Sequence, residues 1–194
     1  MSSASLGIWL GQRATALDEL VAAHGVMGGT GPGRRHATLQ LNYAFALLLS
    51  SQFQGFCRDL HSETIRHLSA AIALPTLAAI IRWDLSSLRR LDHGNPNPSN
   101  IQQDFGRLGL LELWPTIHRK QARARSHVSA LEVLNEWRNA IAHHAFTGKK
   151  LVDPRGRLHL RQVKRWRAAC DFIVRRLDQV VGDFVATVVG HRPW

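Results

Sequence analysis

Apolar side chains recur every three or four residues through most of the chain, while β-branched residues hardly ever alternate with polar ones, so the pattern predicts an all-α protein. A first helix is expected from about Gln12 to His24, with Ala16, Leu17, Leu20 and Val21 on its apolar face, stopped by the Gly/Pro-rich stretch Gly25 to Gly33. From His36 to about Ile72 one broad stripe continues through Leu39, Tyr43, Ala46, Leu47, Phe53, Phe56, Cys57 and Leu60, which reads as the spine of a helical bundle. Pro75 interrupts it. A shorter helix over Leu77 to Leu91 would then bury Leu77, Ile80, Ile81, Leu85 and Leu88, ending at the turn cluster Asp92-His93-Gly94-Asn95-Pro96-Asn97-Pro98.

Beyond Pro98, Ser99 or Asn100 is placed to cap a short helix through about Leu108, and Gly109 breaks it. The basic segment Ile117 to Ser126, with His118, Arg119, Lys120, Arg123 and Arg125, has few apolar anchors and reads as an exposed helix or a loop. Ser126 or Ser129 then starts a helix carrying Val133, Leu134, Trp137, Ile141 and His144, with Gly148 and Asp153-Pro154-Arg155-Gly156 marking the turn beyond it. A final helix from about Leu160 to Val189 places Val163, Trp166, Cys170, Ile173, Leu177, Val181 and Phe184 at helical spacing, suited to antiparallel packing against the helix before it.

A chain of 194 residues with 45% hydrophobic content can bury one substantial core, so a single helical domain over 1–194 is expected. Residues 1–35 would supply the N-terminal helix and a flexible Gly-rich stretch, and 92–126 an inserted helical/loop and basic segment. Cys57 and Cys170 sit in apolar helical stretches with no CxxC pairing, which points to core thiols rather than a disulfide framework or zinc site. No apolar run approaches the roughly 20 residues a membrane span needs, and no leader is recognisable, so a cytoplasmic protein without membrane association is expected. The 25 Lys+Arg residues, 21 of them Arg, outnumber 14 Asp+Glu for a net charge of +11, which favours a polyanionic partner such as nucleic acid.

The chemistry concentrates in Glu136-Trp137-Arg138-Asn139-Ala140-Ile141-Ala142-His143-His144-Ala145. Arginine offers a permanently charged fork that matches a phosphate, and histidine moves protons near neutrality; together they suffice for phosphodiester chemistry without a metal. At about 100° per residue, Asn139 and His143 share a helix face one turn apart, while Arg138 points about 140° from His143 and needs its long stem to reach the same side. The competing reading is structural: Arg138 pairs with Glu132 or Glu136, Asn139 bridges helices, and His143 is a satisfied, partly buried histidine. Glu63 and His67 stand one turn apart near His61, yet no third ligand completes a metal set, and neither metal nor cofactor is expected.

Trp137-Arg138-Asn139-Ala140-Ile141-Ala142-His143 resembles the signature of the HEPN superfamily, an Arg, a polar residue, a few further residues and then His. Gly94-Asn95-Pro96-Asn97-Pro98-Ser99-Asn100-Ile101 through Phe105-Gly106-Arg107-Leu108-Gly109 also resembles the insertion of bacterial HEPN proteins of the RiboL-PSP type. The resemblance covers most of the region from about His36 to Val189. It implies an up-and-down helical bundle, commonly a homodimer with the motifs at the interface, and a metal-independent endoribonuclease. In that scheme Arg138 holds the scissile phosphate, Asn139 positions Arg138 or the phosphate, and His143 transfers protons, with His144 the second candidate. The ribose 2′-OH attacks the adjacent phosphate, leaving cyclic phosphate ends and sparing DNA. The resemblance also suggests a toxin or defence effector restrained by an acidic antitoxin or inhibitor protein, and its alternative is a non-catalytic HEPN module that binds RNA or a protein. Lys149, Lys150, Arg123 and Arg125 are the expected RNA contacts. Phe146 follows the motif and is expected to pack rather than to stack a base.

Overall fold

The apolar stripe after His36 does form one long helix, and the rest of the chain is arranged on it. The computed structural model describes residues 1–28, 36–120, 123–146 and 156–194, which contain helices and no strand. In chain order these are α1 (Ala4–Ile8), a π-helical turn (Trp9–Arg13), α2 (Ala14–Gly28), α3 (His36–Ala70), α4 (Pro75–Ser86), α5 (Arg90–His93), α6 (Pro98–Arg107), α7 (Leu113–Lys120), α8 (Ala124–His143) and α9 (Leu160–Val189). Helix α3 packs on α2, α8 and α9, and α8 on α9. Phe45, Phe53, Phe56 and Leu60 of α3, Leu131, Leu134 and Trp137 of α8, and Trp166, Ile173 and Leu177 of α9 form the centre of the core.

Side-chain contacts fix the directions of the long helices. Near the start of α3, Asn42 donates to the Leu158 carbonyl at 2.8 Å and Tyr43 to that of Gly156, while near its end His67 meets the Trp194 ring, so α3 and α9 run parallel. Helix α8 runs against α9: Trp137 lies 6.1 Å from Trp166, and His127, ten residues earlier, stacks at 4.3 Å on Phe172, six residues later. Cys57 and Cys170 are fully buried, and burial pushes both thiols up, away from the reactive thiolate form.

Several boundaries differ from the sequence reading, each for a tertiary reason. The first helix begins at Ala4 rather than near Gln12, because remote carboxylates satisfy its opening N–H groups. Glu63 of α3 accepts from the N–H of Ala4 and of Ser5 and from Ser5 Oγ, and Asp178 of α9 accepts from the Ser3 N–H at 3.1 Å. The helix then runs through Gly25 to Gly28, while the remainder of the Gly-rich stretch falls outside the described residues. Helix α4 starts on Pro75, whose missing N–H is harmless at a first helical position, and ends at Ser86; Leu88 turns the chain with φ +56°. Only Ala78 of α4 is buried. Leu77, Ile80 and Leu88, which periodicity assigns to the core, are exposed, as is Trp83 at 74%. Asn97, not Ser99 or Asn100, caps α6, its Oδ1 accepting from the Asn100 N–H at 2.8 Å. Part of the basic segment is helix α7, anchored by buried Leu113, Trp114 and Ile117, and α8 starts at Ala124, ahead of both predicted serines.

Two predictions concern this core. Gly156 adopts φ +69°, and a Cβ there would stand 2.8 Å from Tyr43 Oη and 3.2 Å from the Phe146 ring. Gly156→Ala should cost roughly 2–4 kcal/mol from left-handed strain and overpacking; an unchanged unfolding midpoint would contradict it. His61 is buried, its Nε2 3.2 Å from the Asp104 carbonyl and its ring edge-on to Phe105. Burial, reinforced by Arg89, lowers its pKa from 6.5 to about 4. The unfolded chain therefore binds a proton that the folded chain refuses, so His61's contribution is intact above about pH 6.5 and is lost as pH falls toward 4. The loss should approach roughly 3 kcal/mol. Urea unfolding at several pH values should show a shallower acid dependence in His61→Gln, and equal slopes would refute the assignment.

Candidate functional site

Leu134, Trp137 and Ile141 are buried, and their spacing sets the rotation of the last turns of α8. Asn139 and His143 therefore face outward and are exposed, one turn apart, while Arg138 at the edge of the packed face is half-buried. Arg138 bends toward the exposed face: its Nη1 donates to Asn139 Oδ1 at 3.2 Å. Among the described residues no carboxylate pairs with Arg138, so Glu132 and Glu136 do not neutralise it as the structural reading supposed. A charged fork that meets no carboxylate among the described residues and lies on the same helix end as an exposed histidine is able to hold an external anion.

A residue outside the sequence candidates completes this arrangement. Asn95 Nδ2 donates to the same Asn139 Oδ1 at 2.7 Å, so the Asn139 carbonyl oxygen accepts from Arg138 and Asn95 together. The turn that carries Asn95 is tied down on all sides. Gln54 of α3 donates to the carbonyls of Leu91 and Gly94, Asn100 donates to that of Asn95, and Asn135 of α8 donates to that of Pro96 at 3.2 Å. A Cβ at Gly94 would stand 2.7 Å from Asn100 Nδ2 and 3.2 Å from the Arg90 carbonyl oxygen, so a side chain there would have to displace Asn100. The signal for Asn95 lay in the Gly-Asn-Pro-Asn-Pro string, whose turn chemistry is legible but whose docking onto α8 is not.

The two adjacent histidines have different surroundings. His143 is the last residue of α8, whereas His144 caps the helix in the left-handed region with φ +52°, a conformation histidine tolerates better than most side chains. Ala145 then donates back to the Ala140 carbonyl at 3.0 Å, closing the helix end. Phe146 stacks on Tyr43 at 5.8 Å and lies 6.1 Å from Trp137, a packing position.

Arg123 and Arg125 are exposed but open α8, so roughly 20 Å of helical rise separates them from Arg138. Lys149 and Lys150 lie outside the described residues. His61, Glu63 and His67 are engaged separately, with the Asp104 carbonyl, the start of α1 and the Trp194 ring. Among the described residues no group of three His, Cys, Asp or Glu is placed to hold a metal, and no helix is long and apolar enough to cross a membrane. Near the anchored turn, Asp92 is partly buried, which opposes its ionisation, but hydrogen bonding from Arg89 and the nearby Arg58 charge hold its carboxyl below the usual range. Compared with family models, curated proteins and solved structures, the chain gives no significant match.

Proposed function

We propose that this protein is a metal-independent endoribonuclease of HEPN type that acts as a homodimer. The observation that carries this reading is the Arg138 guanidinium, which pairs with no carboxylate among the described residues and is held by Asn139 on the face that also presents His143. In the proposed reaction Arg138 binds the scissile phosphate and stabilises the charge that builds on it. Asn139 orients that guanidinium, and His143 relays the proton between the ribose 2′-OH and the leaving 5′-oxygen. The 2′-oxygen forms a new bond to phosphorus as the 5′-oxygen bond breaks, so the products carry 2′,3′-cyclic phosphate and 5′-hydroxyl ends. A two-fold axis at this end of the bundle would bring two Arg138-His143 sets to one RNA backbone. Restraint by an acidic inhibitor protein, as for a toxin or defence effector, fits the net charge of +11.

A second reading, a non-catalytic RNA-binding module, is favoured by one observation: Arg138 is bonded to Asn139 rather than placed against His143 within one chain. Incubating purified protein with mixed cellular RNA and DNA in excess chelator separates the two. Cyclic phosphate ends on RNA, with DNA intact, support the nuclease, and RNA that is bound but uncut supports the module.

A further inference from the structure

Seven described arginines, Arg13, Arg58, Arg89, Arg107, Arg119, Arg167 and Arg192, each reach an Asp or Glu side chain. In the opening turns of α9 Arg167 alone has such a partner among the described residues, Asp18. From Arg157 to Cys170 the sequence Arg-Leu-His-Leu-Arg-Gln-Val-Lys-Arg-Trp-Arg-Ala-Ala-Cys contains no acidic residue. Arg161, Lys164 and Arg165 are exposed and have no ion pair or hydrogen bond among the described residues. They stand at i, i+3 and i+4 and so share one face, over about 6 Å of helical rise. An open hollow of about 490 Å³ is lined by Leu160, Arg161, Lys164, Arg165 and Ala168, and a second of about 380 Å³ by His159, Arg161, Gln162 and Arg165. Arg161 and Arg165 form the ridge common to both.

Three exposed cations on one face, without an ion pair among the described residues, give a local positive potential that draws an external anion. The surroundings narrow the anion. A membrane-surface helix sets a large apolar face beneath its basic residues, but here the flanking positions are Ala168 and a half-buried Leu160. The two hollows on either side of one cationic ridge suit a chain of phosphates that crosses it, rather than a single small anion. Their position adds a further reason. Since Trp137 packs on Trp166, the first turns of α9 are level with the last turns of α8 that carry Arg138 and His143.

We propose that Arg161, Lys164 and Arg165 form a second phosphate-binding surface, separate from Arg138, that holds the backbone of a single-stranded RNA at the motif end of the bundle. The choice of RNA rests on the nuclease reading above; the anion-binding role of α9 does not. Such a surface supplies affinity without sequence preference and makes it salt-dependent.

The test is fluorescence anisotropy with a labelled mixed-sequence single-stranded RNA across a salt series. It compares the intact protein, R161A/K164A/R165A, the paired-arginine control R119A/R192A, and R138A, with circular dichroism to confirm folding. The α9 triple variant should weaken binding at least tenfold near 0.1 M salt and reduce the log–log salt slope by about 2, as expected for three lost phosphate contacts to a single strand. The control should change neither. Unchanged affinity and slope in the triple variant overturn the proposal, as does α9-dependent binding to phosphatidylserine vesicles with none to RNA. If the intact protein binds RNA through α9 but never cuts it, the surface stands and the nuclease reading falls. If it cuts RNA equally well without the three cations, the nuclease stands and the surface falls.

Discussion

Arg138→Ala is expected to slow RNA cleavage by at least about a hundredfold while leaving helicity and most of the RNA affinity in place. Removing one electrostatic stabiliser of a developing charge typically costs 10²–10³ in rate, about 3–4 kcal/mol. Arg138 is suited to that task because it is only half-buried, pairs with no carboxylate among the described residues and is held by Asn139 Oδ1. Arg138→Lys keeps the charge but loses the planar fork, so it should recover only part of the rate. His143→Ala should cost roughly 10²–10⁴, the usual range for losing a general acid or base. His144→Ala should cut RNA at close to the normal rate, because His144 serves the helix end with its left-handed backbone. Single-turnover cleavage of end-labelled RNA in chelator measures all four. A normal rate in Arg138→Ala would remove Arg138 from the reaction, and a loss confined to His144→Ala would transfer the proton-transfer role to its neighbour.

Long, strongly periodic elements were legible in the sequence: α9 spans Leu160–Val189 as its spacing predicts, and α3 ends within two residues of its expected limit. Here many apolar positions agree, so no single contact decides the boundary. The misses share a cause in side chains remote in sequence. Helix α1 depends on Glu63 and Asp178, and Trp9 is fixed by donating to Asp171 at 2.8 Å, none of which a local window contains. Helix α4 misleads in the opposite way, since its apolar face looks like core but stays exposed on the surface of α3. At the site, the spacing of Asn139 and His143 was readable because one helix fixes it. The bond between Asn95 and Asn139 was not, because it joins residues 44 positions apart through a turn held by α3, α6 and α8.

That turn leads to the largest stability effect to be expected. Asp104 of α6 is 1% exposed, and its two carboxylate oxygens accept from the N–H groups of Arg90 and Leu91 at 2.8 and 2.9 Å. Helix α5 has no capping side chain of its own, so Asp104 replaces a local cap from 13 residues away. Asp104→Ala strands two N–H donors, one of them on buried Leu91, and should destabilise the fold by on the order of 3–5 kcal/mol. Asp104→Asn has only one carbonyl oxygen to offer the two donors and should lose at least half as much. The effect should reach function as well, because α5 leads directly into Gly94 and Asn95, and Asn95 steadies the Asn139 carbonyl that holds Arg138. Asn95→Ala should therefore slow cleavage with little loss of stability, whereas Asp104→Ala, assayed at a temperature where it remains folded, should slow cleavage by a similar factor. Combining the two substitutions should slow it little further, since both release the same turn. Multiplicative rate losses in the double variant would show that Asp104 supports the fold without steadying Asn95, and an unchanged unfolding midpoint in Asp104→Ala would refute its role as the cap of α5.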